Sequence, residues 1–518
     1  MLRKLKTIMS KVAIKTVELK RALKGYKKSL ALKLGTTKST VIPFNKENKD
    51  LLEFLNEKIP LTEAQKAKIS GFLFGGEKLA AAQVNSINSF YNTLAFINET
   101  PLPVLEVKIH TKWYPVMVSV SKWQGLTGGW LCELSVRGGL GAMEYEKRIV
   151  FGEWNFTDNS GKTVSKSINE SLIKHNLRVA SKESIAHAEL LNKKIPELWS
   201  QAGQIYDSTG IGLVMGFFGW EEVGVGSKAA PVPVIIEPNL ENQYYHDDMH
   251  SSDTWQLPFV RVFSLRHKDY VFVDLEELQT HVFHPDSKNN IVLPAPMLKA
   301  LDSVFNAKGS EIFGDLFHGR HGGIVVLANG PSGVGKTLTA EVFAEYQERP
   351  LYSMEMSEVG TRVKDVEQNL KKIFARAKKW NAVLLFDEAD IFLSERVSSD
   401  LERSAIVGIF LRLLDYYEGT FFLTTNRGGE IDKAFKSRVT LYLDYPDLTT
   451  DTRHTIWVNM LKSANINITV DPDIWLQIVE RPLNGRQIRN QVRLLKLMYP
   501  NGNFSAQDIL NSLSFAAV

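Results

Sequence analysis

The C-terminal part of the sequence predicts an α/β fold: a parallel sheet between helices, closed by a helical segment. A β-rich or α+β region precedes it. Three stretches carry this reading. Ile324–Leu327 is a short β-branched run, followed by Gly330-Pro331-Ser332-Gly333-Val334-Gly335-Lys336-Thr337 and then by the helix-forming LTAEVFAEY. AVLLFDEADIFLSER (382–396) is an apolar run that ends in Asp387-Glu388. EGTFFLTTN (418–426) is an apolar run that ends in Thr424-Thr425-Asn426. Short apolar runs ending in polar side chains suit parallel strands, because open α/β sheets bind ligands outside the carboxyl ends of their strands.

The chain has 518 residues, more than one hydrophobic core serves, so two or three domains are expected. Hydrophobic content of 44% and charged content of 23% are those of an ordinary globular protein. Cys132 is the single cysteine, which excludes an internal disulfide framework and a cysteine-rich metal site and fits a reducing, intracellular compartment, the cytoplasm being the expected one. The net charge of +4 is uneven. Residues 1–40 hold twelve Lys/Arg against Glu18, a local +11, and the other 478 residues carry −7, with 50 basic against 57 acidic groups. No run approaches the ~18 consecutive apolar residues of a spanning helix. No apolar segment of a secretory leader follows the start.

Along the chain, apolar residues at 5, 8, 9, 12 and at 19, 23, 26, 30 follow helical spacing, so the arm over 1–50 reads as a basic amphipathic helix or as a solvated tail. Nucleic acid, an acidic protein and an anionic membrane are all fitting partners for it, and organelle targeting stays open. Residues 51–100 look helical. VLEVKIHTKWYPVMVSVSKW (104–123) and GGWLCELSV (128–136) read as strands, and GIGLVMGFFGW (210–220) as a hairpin. Prolines and polar residues mark 228–255 as a long loop. LPFVRVFSL (257–265) and DYVFVDLEEL (269–278) pair as a further hairpin. His246, Asp247, Asp248 and His250 cluster in the expected loop, but no rigid scaffold or spaced further ligand makes them a metal site.

The motif at 330–337 has the form G-x-x-x-x-G-K-[ST] in a strand–loop–helix context. Glycines let backbone N–H groups converge on phosphate, and the helix presents its positive N-terminal end. Gly330, Pro331, Ser332, Gly333, Val334, Gly335, Lys336, Thr337 and Leu338 are the candidate ATP-binding residues. Lys336 reaches the β and γ phosphates, and the Thr337 hydroxyl ligands Mg²⁺. Asp387 holds the Mg²⁺ through its water shell, Glu388 is the general base, and Asp390 is structural. If the third strand lies between the other two, Asn426 orients the lytic water. Arg438, twelve residues beyond, stands too far along to reach its own nucleotide and suits a neighbour's, where an arginine stabilises transition-state charge.

These residues together resemble the AAA+ ATPases, with Walker A at 330–337, Walker B at 383–388, sensor 1 at Asn426 and an arginine finger at Arg438. The texture of PFVRVFSL, GPSGVGKTLTAE, DEADIFL, VGIFLRLLDYYEGTFFLTTNR and LNGRQIRNQVRLL is similar to AAA ATPases, abundant in fungi, that carry an uncharacterised domain before the ATPase. The resemblance implies an AAA+ large domain over 291–446 and a small helical lid over 447–518, behind a partner-recognition domain over 51–290. It also implies a homo-oligomer, a hexameric ring, with ATP and Mg²⁺ as ligands and Arg486 near the sensor 2 position. The chain departs from the pattern twice. MEMSEVGTRVKDVE (354–367) lacks the aromatic residue of a substrate-gripping pore loop, and FKSRV offers one arginine where relatives often have two, with Arg427 as a stand-in.

The function expected is ATP hydrolysis coupled to remodelling of an unknown protein client. The alternatives are a nucleic-acid-associated motor or loader using the basic arm, and an assembly switch with little turnover. The nucleic-acid alternative predicts DNA or RNA binding that weakens steeply with salt and disappears when residues 1–40 are deleted. Filter binding across a salt series tests it, and binding that ignores salt contradicts it.

Overall fold

The computed structural model describes residues 79–515 except 82, 98–102, 141–142, 153–155, 217–218, 238–254, 307–322, 361, 394–400, 427–430, 467–470 and 503. The basic arm, the helical reading of 51–78, the His246–His250 cluster and Arg427 lie outside the described residues. The chain divides into two compact units. One runs to Ala202 and resumes over Tyr206–Gln279, and the other comprises Gly203–Ile205 with Thr280 onward.

In the first unit, β1 (Gln83–Val84) pairs with β6 (Lys166–Ser167). A five-stranded antiparallel sheet has the order β5-β4-β3-β2-β7, from β2 (Leu105–Ile109), β3 (Lys112–Gln124), β4 (Trp130–Leu140), β5 (Met143–Phe151) and β7 (Leu177–Val179). Strand periodicity explains its core. Cys132, Leu134 and Val136 alternate along β4 and are fully buried. They join Phe90 and Leu94 of the helix Ile87–Ile97 in one apolar cluster, where the Phe90 ring lies 4.7 Å from that of Phe151.

A seven-stranded sheet follows, ordered β10-β9-β13-β12-β11-β8-β14. Its strands are β8 (Ile205–Ser208), β9 (Ile211–Gly216), β10 (Gly219–Gly224), β11 (Val232–Ile236), β12 (Phe259–Ser264), β13 (Asp269–Asp274) and β14 (Leu278–Thr280). The hairpins expected at 210–220 and 257–278 are the antiparallel pairs β9–β10 and β12–β13. The long loop expected over 228–255 is corrected in part: β11 is a strand, with Val234 opposite Ser264 and Ile236 opposite Val262. Pro231 and Pro233 hid it. Proline is tolerated at the start of a strand, and the Pro233 carbonyl still accepts the Leu265 N–H at 3.2 Å. Asp274, at the end of β13, is buried and satisfied by the Tyr114 hydroxyl (2.6 Å) and Lys112 Nζ (2.8 Å).

The second unit holds a five-stranded, fully parallel sheet in the order β16-β17-β18-β15-β19, from β15 (Ile324–Asn329), β16 (Leu351–Met354), β17 (Val383–Phe386), β18 (Thr420–Thr425) and β19 (Leu441–Asp444). β18 therefore lies between β17 and β15. All its residues are buried, which explains why they read as an unbroken apolar run. Helices Lys336–Tyr346, Val363–Lys379 and Leu401–Leu414 follow strands of this sheet. Residues 280–290 belong with this unit: the His284 N–H donates to Glu345 (2.9 Å), and Lys288 sits over the Tyr346 ring.

Four helices complete the unit, Thr450–Ser463, Pro472–Glu480, Gly485–Met498 and Ala506–Ser512. Thr449, Asp471, Asn484 and Ser505 cap them by accepting first-turn N–H groups. Trp457, Ile478, Ile488, Leu495 and Ile509 form their common core. Among the described residues no helix is long and apolar enough to cross a membrane.

Phe422 is fully buried at the centre of β18. Phe422→Ala should lower the stability of the α/β unit by about 3–5 kcal/mol. Denaturant unfolding followed in that unit checks it, and a loss below about 1 kcal/mol contradicts the packing described.

Candidate functional site

The site collects at the carboxyl ends of β15, β17 and β18. After β15 the chain turns through Gly330 (φ 146°) and Gly333 (φ 80°), left-handed conformations that favour glycine. Space adds a second reason. A Cβ at Gly330 would lie 2.4 Å from the Tyr445 carbonyl oxygen, and one at Gly333 would lie 2.6 Å from the Asn484 side chain. The helix Lys336–Tyr346 opens at Gly335 with no side-chain cap, so its first-turn N–H groups remain for an anion.

Lys336 is 7% exposed. Its Nζ donates to the Gly330 carbonyl (2.7 Å), the Pro331 carbonyl (2.7 Å) and Asn426 Oδ1 (2.8 Å). Burial pulls its pKa below the usual lysine value, against the opposing pull of Asp387, Asp390 and Glu388. Thr337 Oγ1 donates to Asp387 Oδ1 at 2.9 Å, and Thr424 Oγ1 donates to the same oxygen at 2.5 Å. Thr425 donates to Asp390 Oδ1, which also takes the Asn426 N–H at 3.4 Å. Each polar residue at the end of β18 thus has a side-chain partner in the site, Asp387 for Thr424, Asp390 for Thr425 and Lys336 for Asn426.

The residues present fit a nucleotide and a divalent cation. A buried ammonium bound only to neutral oxygens and uncapped helix amides suit phosphate. A carboxylate beside a threonine hydroxyl is the oxygen donor set of Mg²⁺. Glu388 is exposed, one residue beyond, with its backbone at φ 54°.

The remaining candidates spread further. Leu338 is half-exposed in the first helical turn. The Gly485 N–H donates to the Gly333 carbonyl at 2.9 Å, bringing the helix Gly485–Met498 onto the phosphate loop. Arg486 stands close enough to Lys336 to add to the lowering of its pKa. Arg438 pairs in its own chain, with Nε and Nη2 on Asp415 (2.6 and 2.9 Å) and Nη1 on the Ala434 carbonyl (2.6 Å). Donating to the Asp415 carboxylate raises its pKa. From the sequence, Thr424 and Asn484 carried no site role of their own. The doubled threonine before Asn426 was a visible signal for the first, but the Asn484 contact joins residues far apart in the chain.

Strand order, loop and side chains define a phosphate-loop nucleotide-binding domain of the α/β type. Residues 326–446, which hold the phosphate loop and strands β16–β19, match the family model described as ATPase family associated with various cellular activities (AAA). The chain is similar to "Uncharacterized AAA family ATPase y4kL" of Sinorhizobium fredii, 29% identical over 195 residues, which are 36% of this chain and 57% of that one. It is 30% identical over 154 residues to fidgetin-like protein 1 of Drosophila melanogaster, 28% of this chain and 29% of the relative. The chain therefore spans little more than half, or less, of these relatives' lengths. A chain of the E. coli HORMA:CdnC:Trip13 complex aligns with 45% of this chain and 91% of its own length (TM-score 0.36, 20% identity). The FIGL-1 AAA domain in complex with ADP aligns with 44% and 84% (TM-score 0.34, 20% identity).

Lys336→Ala should weaken ATP binding by about 1.5–3 kcal/mol, the worth of a charge-assisted hydrogen bond, roughly ten- to a hundredfold in Kd. Titration of a fluorescent ATP analogue, with circular dichroism as the folding control, measures it. Unchanged affinity contradicts the assignment of this loop.

Proposed function

We propose that the chain is a Mg²⁺-dependent ATPase that works as a homo-oligomer and couples hydrolysis to remodelling of a protein partner. One observation carries the reading: Lys336, Thr337, Asp387, Glu388 and Asn426 stand together at the carboxyl ends of adjacent parallel strands. Family membership of the domain supports the coupling to a protein partner, and the first unit is the candidate for choosing it.

In this reading the phosphate loop amides and Lys336 bind the β and γ phosphates. Thr337 and Asp387 would hold the Mg²⁺, which supplies charge neutralisation on the phosphate oxygens. Glu388 takes a proton from the attacking water. Asn426, set by its contact with Lys336, orients that water. Among the described residues Arg438 uses three of its five N–H donors and keeps two. Those two are what it would offer to a neighbour's γ-phosphate. Its pairing with Asp415 holds the guanidinium in one place, which suits a group that must meet a developing charge.

Glu388→Gln should retain ATP binding and lose turnover by about 10²–10⁴-fold, the range of general-base catalysis. Arg438→Ala should also bind ATP and lose turnover. Mixing the two variants should restore part of the phosphate release, because some mixed interfaces then hold both groups intact. Co-assembly without recovery contradicts an arginine acting across subunits, and normal hydrolysis by Arg438→Ala removes the arginine from the mechanism.

A further inference from the structure

Thr424 is 1% exposed and makes three bonds to the strand-end segment beside it. Its hydroxyl donates to Asp387 Oδ1 (2.5 Å) and accepts the Glu388 N–H (2.9 Å). Its carbonyl accepts the Ala389 N–H (2.9 Å). The directions are forced by chemistry. A carboxylate only accepts and an amide only donates, so the one hydroxyl proton goes to Asp387 and a lone pair receives the amide.

The ladder explains why a hydroxyl stands there. β17 and β18 pair in register up to Phe386 opposite Leu423. Asp387 and Thr424 come next, and at that point the β17 chain leaves the ladder. It turns through Glu388 at φ 54°, a left-handed conformation that costs a non-glycine residue roughly 1–3 kcal/mol and persists only where its surroundings hold it. Thr424 provides that hold. It takes the two consecutive amides that flank the turn, one on its side chain and one on its backbone.

Asp387 Oδ1 is shared by two hydroxyls, and Oδ2 has no hydrogen bond among the described residues. Thr337 is itself a candidate metal ligand and so has another use for its oxygen. Thr424 has none, and its bond is the one that keeps the carboxylate oriented when Thr337 turns away. Valine would fill the same volume but would leave the Glu388 amide without its acceptor and take from the Asp387 carboxylate one of its two hydroxyl donors.

We propose that Thr424 is a positioning residue for hydrolysis, orienting the Asp387 carboxylate and fixing the backbone turn that presents Glu388. The proposal rests on the reading of this site as a Mg²⁺-dependent ATPase. Residues behind a metal ligand typically change metal affinity or activity by about 10–100-fold when removed.

The test uses the full chain with Thr424→Val and Thr424→Ser. Two quantities are read: the Mg²⁺ concentration that gives half of the ATP-induced rise in melting temperature, and kcat with KM from phosphate release. Thr424→Val should bind ADP without metal as wild type does. Its Mg²⁺ midpoint should rise about tenfold and its kcat should fall about tenfold or more, with KM little changed. Thr424→Ser, which keeps the hydroxyl, should restore both. Thr424→Ala carries the same expectation as valine and serves if the valine variant does not fold. A folded valine or alanine variant with wild-type Mg²⁺ midpoint and kcat overturns the proposal. So does a serine variant as impaired as valine, or a loss confined to melting temperature and metal-free ADP binding. If the wild-type chain hydrolyses no ATP, the functional reading fails on its own, and the Mg²⁺ midpoints still decide the role of Thr424.

Discussion

Lys336 places an ammonium in a site where solvent hardly reaches, bonded to two backbone carbonyls and one amide oxygen. A buried cation held only by neutral oxygens is costly unless it keeps full coordination. Much of the α/β unit can be read from how that coordination is met. The phosphate loop must curl back so that the Gly330 and Pro331 carbonyls face the amine, which requires the positive φ at Gly330. β18 must lie beside β15 so that Asn426 supplies the third oxygen. Two segments far apart in the chain, the phosphate loop and the end of β18, are thereby held at one point.

The same economy of partners runs along the sheet edge. Thr424 joins Asp387 and the Glu388 amide, Thr425 joins Asp390, and Asn426 joins Lys336. These bonds cross between strands and leave little freedom to the acidic pair after β17. Preorganised polar groups of this kind stabilise developing charge without reorganising when it appears. The helix that begins at Gly485 adds a further tie, from its N-terminal amide to the Gly333 carbonyl. The C-terminal helices and the phosphate loop are therefore joined by one hydrogen bond and by the contact of Asn484 with Gly333.

The first unit follows different rules. Its sheets are built from hairpins, and alternating burial along β4 places Cys132, Leu134 and Val136 in the core. Its buried charges are neutralised locally, as where Lys112 and the Tyr114 hydroxyl meet Asp274.

Sequence alone determined the phosphate loop, the acid-ended strand and the polar end of β18, because each is a local pattern in which a few adjacent residues state the chemistry. It also determined the hairpins β9–β10 and β12–β13, since strand periodicity is local too. It misread β11, where two prolines imitated a loop, because only the neighbouring strands show that the remaining amides and carbonyls are paired. It could not give the partner of Arg438, which is Asp415 at the end of a different helix, nor the hydrogen bonds of Thr424 to Asp387 and the Glu388 amide. Those were decided by tertiary structure: strand order in a parallel sheet is set by crossovers, and the hydroxyl of one strand meets the carboxylate of the next only once both are laid side by side.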